Sequence, residues 1–260
     1  MLDGALLLHF SARLDETDTH DASIYTVVGG AVATIDQWNS LEISWRKHLD
    51  MAKVHSFHYK DFEGRQKDFY DWGPLKAKRF MSRTEKMIDD NVSFRVVGGI
   101  DPRVHADVKR RMKGITGFRG DSDYGLCLRW LLFQSCEHLS QKVGDDFSMS
   151  VIMDDGPYAA GAVSLFHQLR RMRGKNGARH ARKYGDIAVL GKESLSLQVA
   201  DAIVGIEADR LTGPKYKRDN RLRGLLDGPK LEFWYNGMLE QKERRRAYGT
   251  KKHPDTYAKE

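Results

Sequence analysis

Two strand-like runs follow one another directly near the start of the chain, and every later strand is set apart from the one before it by helix-length segments. ALLLHFSARLD (5–15) and SIYTVVGGAVAT (23–34) are rich in β-branched and apolar residues and are joined by the polar stretch TDTHDA. Neighbours of this kind pair as antiparallel strands. SFRVVGGID (93–101), FSMSVIMDD (147–155) and DIAVLG (186–191) supply three more strands, and helical crossovers between the later ones favour parallel pairing. The order predicts an α/β fold, a mixed five-stranded sheet flanked by helices, in which the first strand can lie beside the fourth.

The helices carry their own punctuation. Thr34 or Asp36 can cap a helix in which Trp38, Leu41, Trp45 and Leu49 recur at helical spacing, a core stripe. Pro74 suits the first turn of PLKAKRFMSRTEKMIDD. The polar-aromatic connection KVHSFHYKDFEG lies between these two helices, so a helical insertion separates the second and third strands. Pro102 opens another helix, DYGLCLRWLLFQSCEHLSQKV reads as a long buried one, and AAGAVSLFHQLRRMR follows the fourth strand. GKNGARHARKYG reads as a glycine-bearing basic loop. SLSLQVADAIVGIEADRL is the closing helix, with Ser194 as its N-cap. Composition turns polar and basic after Gly213 and Pro214, which divides the chain into a domain over 1–213 and a basic C-terminal extension over 214–260.

A chain of 260 residues can bury a substantial core. It has no apolar run near the roughly 20 residues that span a bilayer, so no membrane partner is expected. Cys127 and Cys136 share one helix-like stretch without the spacing of a zinc finger, and read as reduced thiols of a cytoplasmic protein. The net charge of +7 is unevenly spread. Residues 215–260 hold 13 Lys/Arg against 7 Asp/Glu, and the segment 170–183 holds 7 basic residues and no acid. A third island, KRRMKGITGFR (109–119), adds five more basic residues. Basic islands beside an acidic remainder suit a nucleic-acid partner, DNA or RNA. Lys109, Arg110, Arg111, Arg170, Arg171, Arg173, Lys175, Arg179, Arg182 and Lys183 are the candidate phosphate contacts. Solvated helix faces and a polar tail are the plainer reading of the same charges. A homo-oligomer or a partner protein is compatible with this composition.

Asp15, Asp154 and Asp201 stand at the ends of three separate apolar segments. A desolvated carboxylate is costly unless paired or bound to a cation, and three together repel one another. Hard divalent cations with oxygen ligands, Mg2+ or Mn2+, relieve that repulsion. Asp15 and Glu16 are adjacent, so on a regular strand only one of them faces a shared site. Asp154 and Asp155 pose the same choice, which the run Val151, Ile152, Met153 leaves open. Gln198 lies one helical turn before Asp201 and shares its face. His55, His58, Lys60 and Asp61 form a second cluster, with His58 or Lys60 able to assist proton transfer, or else a loop that packs Phe57, Tyr59 and Phe62.

LDET, VVGGAVAT with the tryptophan-bearing helix, VHSFHYKDF, MDDG and LQVADAIVG occur in that order over roughly residues 5–211. In this set the chain resembles the family known as domain of unknown function 3800, grouped with ribonuclease H-like proteins. That family's opening motif is usually Asp-Glu-Ser-Gly; here it reads Asp15-Glu16-Thr17-Asp18, without the glycine. The closing Gln-x-Ala-Asp pattern is present as Gln198, Ala200 and Asp201. The resemblance implies a ribonuclease H-like scaffold.

The leading expectation is a nuclease or related phosphodiester-transfer enzyme dependent on Mg2+ or Mn2+. Asp15, Asp154 and Asp201 would hold two ions about 4 Å apart, with Glu16 and His58 as further catalytic candidates. Two rivals stand beside it: a non-catalytic nucleic-acid-binding or defence-complex subunit, and a hydrolase of phosphorylated small molecules.

Overall fold

Strand Leu8–Thr17 (β1) lies between two neighbours of opposite sense, and this placement organises the sheet. Thr26–Thr34 (β2) pairs with it antiparallel, Phe10 opposite Thr34 and Asp15 opposite Gly29. On the other side Phe147–Asp154 (β4) runs parallel, Leu8 opposite Phe147 and Leu14 opposite Met153. Phe94–Ile100 (β3) continues antiparallel from β2, and Tyr184–Leu190 (β5) continues parallel from β4. A four-residue strand, Arg223–Leu226 (β6), adds parallel to β3, giving the order β5-β4-β1-β2-β3-β6. The computed structural model describes residues 7–17, 25–113, 121–173, 175–212 and 223–226. Within them the α/β class and the mixed open sheet flanked by helices match the sequence reading. The sixth strand comes from the segment read as basic extension, where its four residues are too few to show a period.

Each face of the sheet is covered by helices. Phe10, Ala12 and Leu14 of β1 and Phe147, Met149, Val151 and Met153 of β4 point to one face. There they meet Asp123–Val143 (α5) and Ala159–Arg170 (α6), and Val108 and Met112 of Pro102–Met112 (α4) join the same core. Val27, Ala31 and Ala33 of β2 point to the other face. Ile35–Ala52 (α1), Pro74–Asn91 (α3) and Leu195–Thr212 (α8) cover that side. Between α1 and α3 the insertion carries a short helix, Tyr59–Glu63 (α2), and a 3-10 turn, Lys67–Phe69. Its rings Phe57, Phe62, Phe69 and Trp72 pack on one another, on Trp45 and on Phe80 of α3, mostly edge-to-face, at centroid spacings of 5.0–6.4 Å.

Local signals held where their chemistry was local. Thr34 caps α1 in a reciprocal capping box with Gln37, and Pro74 opens α3. The Ser194 carbonyl accepts the first-turn amides of Leu197 and Gln198 at 3.1 Å, while its hydroxyl meets Ser196. GKNGARHARKYG departs from its reading as a loop: Lys175–Ala181 is a helix (α7) in the crossover between α6 and β5. Its glycines weaken helix propensity without forbidding it, and tertiary packing wins. Cys127 and Cys136 are buried free thiols, and burial pushes the Cys136 thiol up to about 12. Among the described residues, no helix is long and apolar enough to cross a membrane.

Candidate functional site

The β1–β4 register puts two carboxylates side by side. Leu14 and Met153 are partners and both are buried in the first core, so the next residue of each strand turns to the α8 face. Those residues are Asp15 and Asp154. This settles the choice left open by the sequence: Asp154 is buried and lines a cavity, whereas Asp155 is exposed. Asp201 comes to the same cavity from α8, which packs over β1 and β2.

Glu16 joins them, against the alternation rule. Asp15 accepts the Glu16 amide on its own Oδ1 at 2.8 Å, and β4 ends opposite Asp15. Beyond that point β1 is still paired with β2 but has no strand on its β4 side, so Glu16 reaches round that open edge. A Cβ placed on Gly156 would stand 3.0 Å from Glu16 Oε1 and 3.7 Å from Asp154 Oδ2. The glycine after MDD therefore leaves the space in which these two carboxylates meet.

The second wall is the insertion, fastened to α8 by the Gln198 and Asp201 pair. Gln198 Oε1 accepts the Phe57 amide at 3.1 Å and the Trp45 indole N–H at 3.4 Å. Asp201 Oδ2 accepts the Tyr59 amide at 2.7 Å. The Tyr59 ring covers Gly205 one helical turn on, and its hydroxyl donates to Asp209. His58 sits at the N-cap of α2 on the cavity wall with Nδ1 4.0 Å from Asp61 Oδ2, and burial lowers its pKa. Asp61 is paired with Lys67 at 2.7 Å, and Asp68 accepts the His55 amide at 2.7 Å. Those contacts shape the rim of a cavity of about 960 Å³.

Electrostatics inside it are dominated by acid. Eight carboxylates line the cavity against three lysines, Lys60, Lys67 and Lys192, an excess that repels any anion unless a cation intervenes. Burial, then the charge of Asp201, push the Asp15 carboxyl up to about 8. Burial and Asp15 push Glu16 up to about 7. Burial raises Asp201 against the pull of the Tyr59 amide and Lys192. Asp154 Oδ1 is buried and has no hydrogen-bond partner among the described residues, while Lys192 Nζ lies 3.7 Å from Oδ2. An unmet buried carboxylate oxygen among other carboxylates fits a hard divalent cation, for which this all-oxygen donor set is suited. Among the described residues, no group of three or more His, Cys, Asp or Glu side chains is placed so as to hold a metal ion as they stand. The acids share an open cavity instead.

The basic candidates lie elsewhere. None of the ten, among the described side chains, lines the cavity. Arg179 forms a fork with Asp145 at 2.9 and 3.0 Å, and Lys183, 3% exposed, is paired with Asp145 and Ser140 beneath the Phe147 ring. Arg170 pairs with Asp186 at 3.1 Å. Asp145 precedes β4, whose far end is Asp154, so Arg179 and Lys183 sit on the order of 25 Å from the acids at the usual strand rise. Lys183 as a phosphate contact is thus corrected: its charge is used inside the fold. Arg110 and Arg111 pair with Asp107, and Lys109 donates to the Asp121 carbonyl at 3.2 Å. Arg171, Arg173 and Arg182 are exposed. Asp18, Arg119, the Lys175 side chain and the basic extension apart from 223–226 lie outside the described residues.

Sequence reasoning passed over Lys192 and the Tyr59 amide. A signal for Lys192 existed, since it follows the strand expected to neighbour the one ending in Asp154. The amide carried none. No protein-family model matches the chain, and no curated protein matches it.

Proposed function

We propose that the protein is a divalent-metal-dependent nuclease, hydrolysing phosphodiester bonds of nucleic acid on a ribonuclease H-like scaffold. The strand order, with β1 between an antiparallel β2 and a parallel β4, supports the scaffold. One observation carries the chemistry: Asp154, whose buried Oδ1 has no hydrogen-bond partner among the described residues, lines a cavity shared with Asp15, Glu16 and Asp201. Asp15, Asp154 and Asp201 would hold Mg2+ or Mn2+, with Glu16 at the edge of the set. A bound ion would lower the pKa of an attacking water and offset charge on the phosphate.

The rest falls to the chain itself. Glu16, at the edge of the acid set, is the carboxylate placed to take a proton from the attacking water. His58, on the facing wall, can exchange one with the departing oxygen. The Tyr59 amide and Gln198 keep the two walls at a fixed spacing.

The test is a panel of single- and double-stranded DNA and RNA, incubated with Mg2+, Mn2+ or EDTA. Cleavage that requires metal, and is lost in Asp15→Asn and Asp154→Asn with binding retained, is the expected result. Salt-sensitive binding without cleavage under either metal would replace this reading with a non-catalytic nucleic-acid-binding subunit. Hydrolysis confined to mononucleotides would replace it with a small-molecule hydrolase.

A further inference from the structure

Lys192 stands at the tip of the turn that joins β5 to α8. Asp154 is paired with Leu190, the last residue of β5, and the Asp155 amide donates to the Leu190 carbonyl at 3.0 Å. A turn closed by the Ser194 amide on the Gly191 carbonyl, at 3.0 Å, then carries Lys192 over the acids. Its Nζ lies 3.7 Å from Asp154 Oδ2, beyond a normal hydrogen bond, and its side chain is 70% exposed. No other lysine or arginine makes a described ion pair with Asp15, Glu16, Asp154 or Asp201. The remaining cavity lysines serve the rim, Lys67 through its bond to Asp61.

A loosely held ammonium above an incompletely satisfied carboxylate suits two successive tasks. We propose that Lys192 is the substrate-phosphate anchor of this site: it shields Asp154 while the acids lack a cation, and turns to a non-bridging phosphoryl oxygen once they have one. The inference rests on reading the acids as a metal site. It assigns to one residue a contact that the remote islands around Arg179 and Lys183 are too far away to make. An exposed lysine on a four-carbon stem can swing between the two partners at little cost.

Calorimetry on the whole chain separates the two tasks, using Mn2+ alone and then inorganic phosphate added to the Mn2+-loaded protein. Lys192→Ala is expected to bind Mn2+ about threefold more tightly, because a competing charge has gone, and phosphate about tenfold more weakly, roughly one lost charged contact. Lys192→Arg should restore most of the phosphate affinity. Unchanged phosphate affinity in Lys192→Ala, with Mn2+ still bound, overturns the anchor and leaves the metal site standing. Parallel weakening for both ligands also overturns it, by making Lys192 a mere support for the acids. Absence of any Mn2+ heat in the wild-type protein overturns the metal site itself, and the anchor with it.

Discussion

The backbone amide of Tyr59 donates to Asp201 Oδ2 at 2.7 Å, which ties the wall of the cavity contributed by the insertion directly to one of its acids. Gln198, one turn earlier on α8, makes the companion bond to the Phe57 amide. The pair of side chains recognisable in the sequence as Gln-x-Ala-Asp is therefore a fastening. It clamps residues 57–59 against α8, and the aromatic cluster behind them holds the clamp from the far side.

Gln198→Met keeps the shape of that side chain and removes its acceptor. Two donors, the Phe57 amide and the Trp45 indole, would lose their partner in a buried setting, at a cost of about 1–3 kcal/mol. For a chain of this size that corresponds to a fall in Tm of about 2–4 °C per kcal/mol. Thermal unfolding followed by tryptophan fluorescence reads it. An unchanged Tm would mean that the clamp contributes nothing.

Stability should also depend on pH in an unusual direction. Asp15, Glu16 and Asp201 all hold their protons to higher pH when folded, chiefly because they are buried. The folded state then binds protons that the unfolded state, with carboxyl values near 4, has already lost. Their contribution is complete below the unfolded values and disappears as pH rises through the folded ones. In EDTA, Tm is expected to fall between about pH 5 and pH 8. Asp15→Asn should flatten that slope, since it removes one raised carboxyl and relieves its neighbours. Mn2+ competes with those protons, so the Tm gain on adding it should be larger at pH 8 than at pH 6. Identical slopes for the wild type and Asp15→Asn would refute the account.

Much of this arrangement was legible before the coordinates, because its signals were periodic. The expectation that the first strand neighbours the fourth is met, and Asp15 and Asp154 do sit on adjacent strand ends. The orientation of Asp154 is legible too in Phe147-Ser148-Met149-Ser150, where large and small residues alternate cleanly. Val151-Ile152-Met153 hides that alternation because helices cover both faces of the sheet. Glu16 could not be placed, since its side chain turns round an edge whose position depends on where β4 ends. Where the basic island at 170–183 lies relative to the acids was hidden for a related reason. Charge runs carry no address, and a crossover helix delivers its far end to the opposite edge of the sheet.

Lys183→Ala tests that reassignment. Removing a buried ammonium strands Asp145 beside Arg179 and leaves the space beneath Phe147 unfilled. The expected result is a clear loss of Tm with an unaltered salt dependence of nucleic-acid binding. Retained stability with weaker, less salt-sensitive binding would return Lys183 to the role of phosphate contact.

Gly205→Ala sets two effects against each other with opposite signs. Helix propensity alone predicts stabilisation by about 1 kcal/mol, since Gly205 lies within α8. A methyl group there would overlap the Tyr59 ring, which rests directly on the glycine. Either the ring moves, drawing the Tyr59 amide from Asp201 and its hydroxyl from Asp209, or the helix shifts away from the insertion. Both displacements disturb the spacing of the cavity walls. Steric overlap in a packed contact costs about 1–3 kcal/mol and here outweighs the propensity gain. Gly205→Ala should therefore unfold at lower temperature and lose Mn2+ affinity. A more stable variant with unchanged Mn2+ binding would show that Tyr59 does not position Asp201.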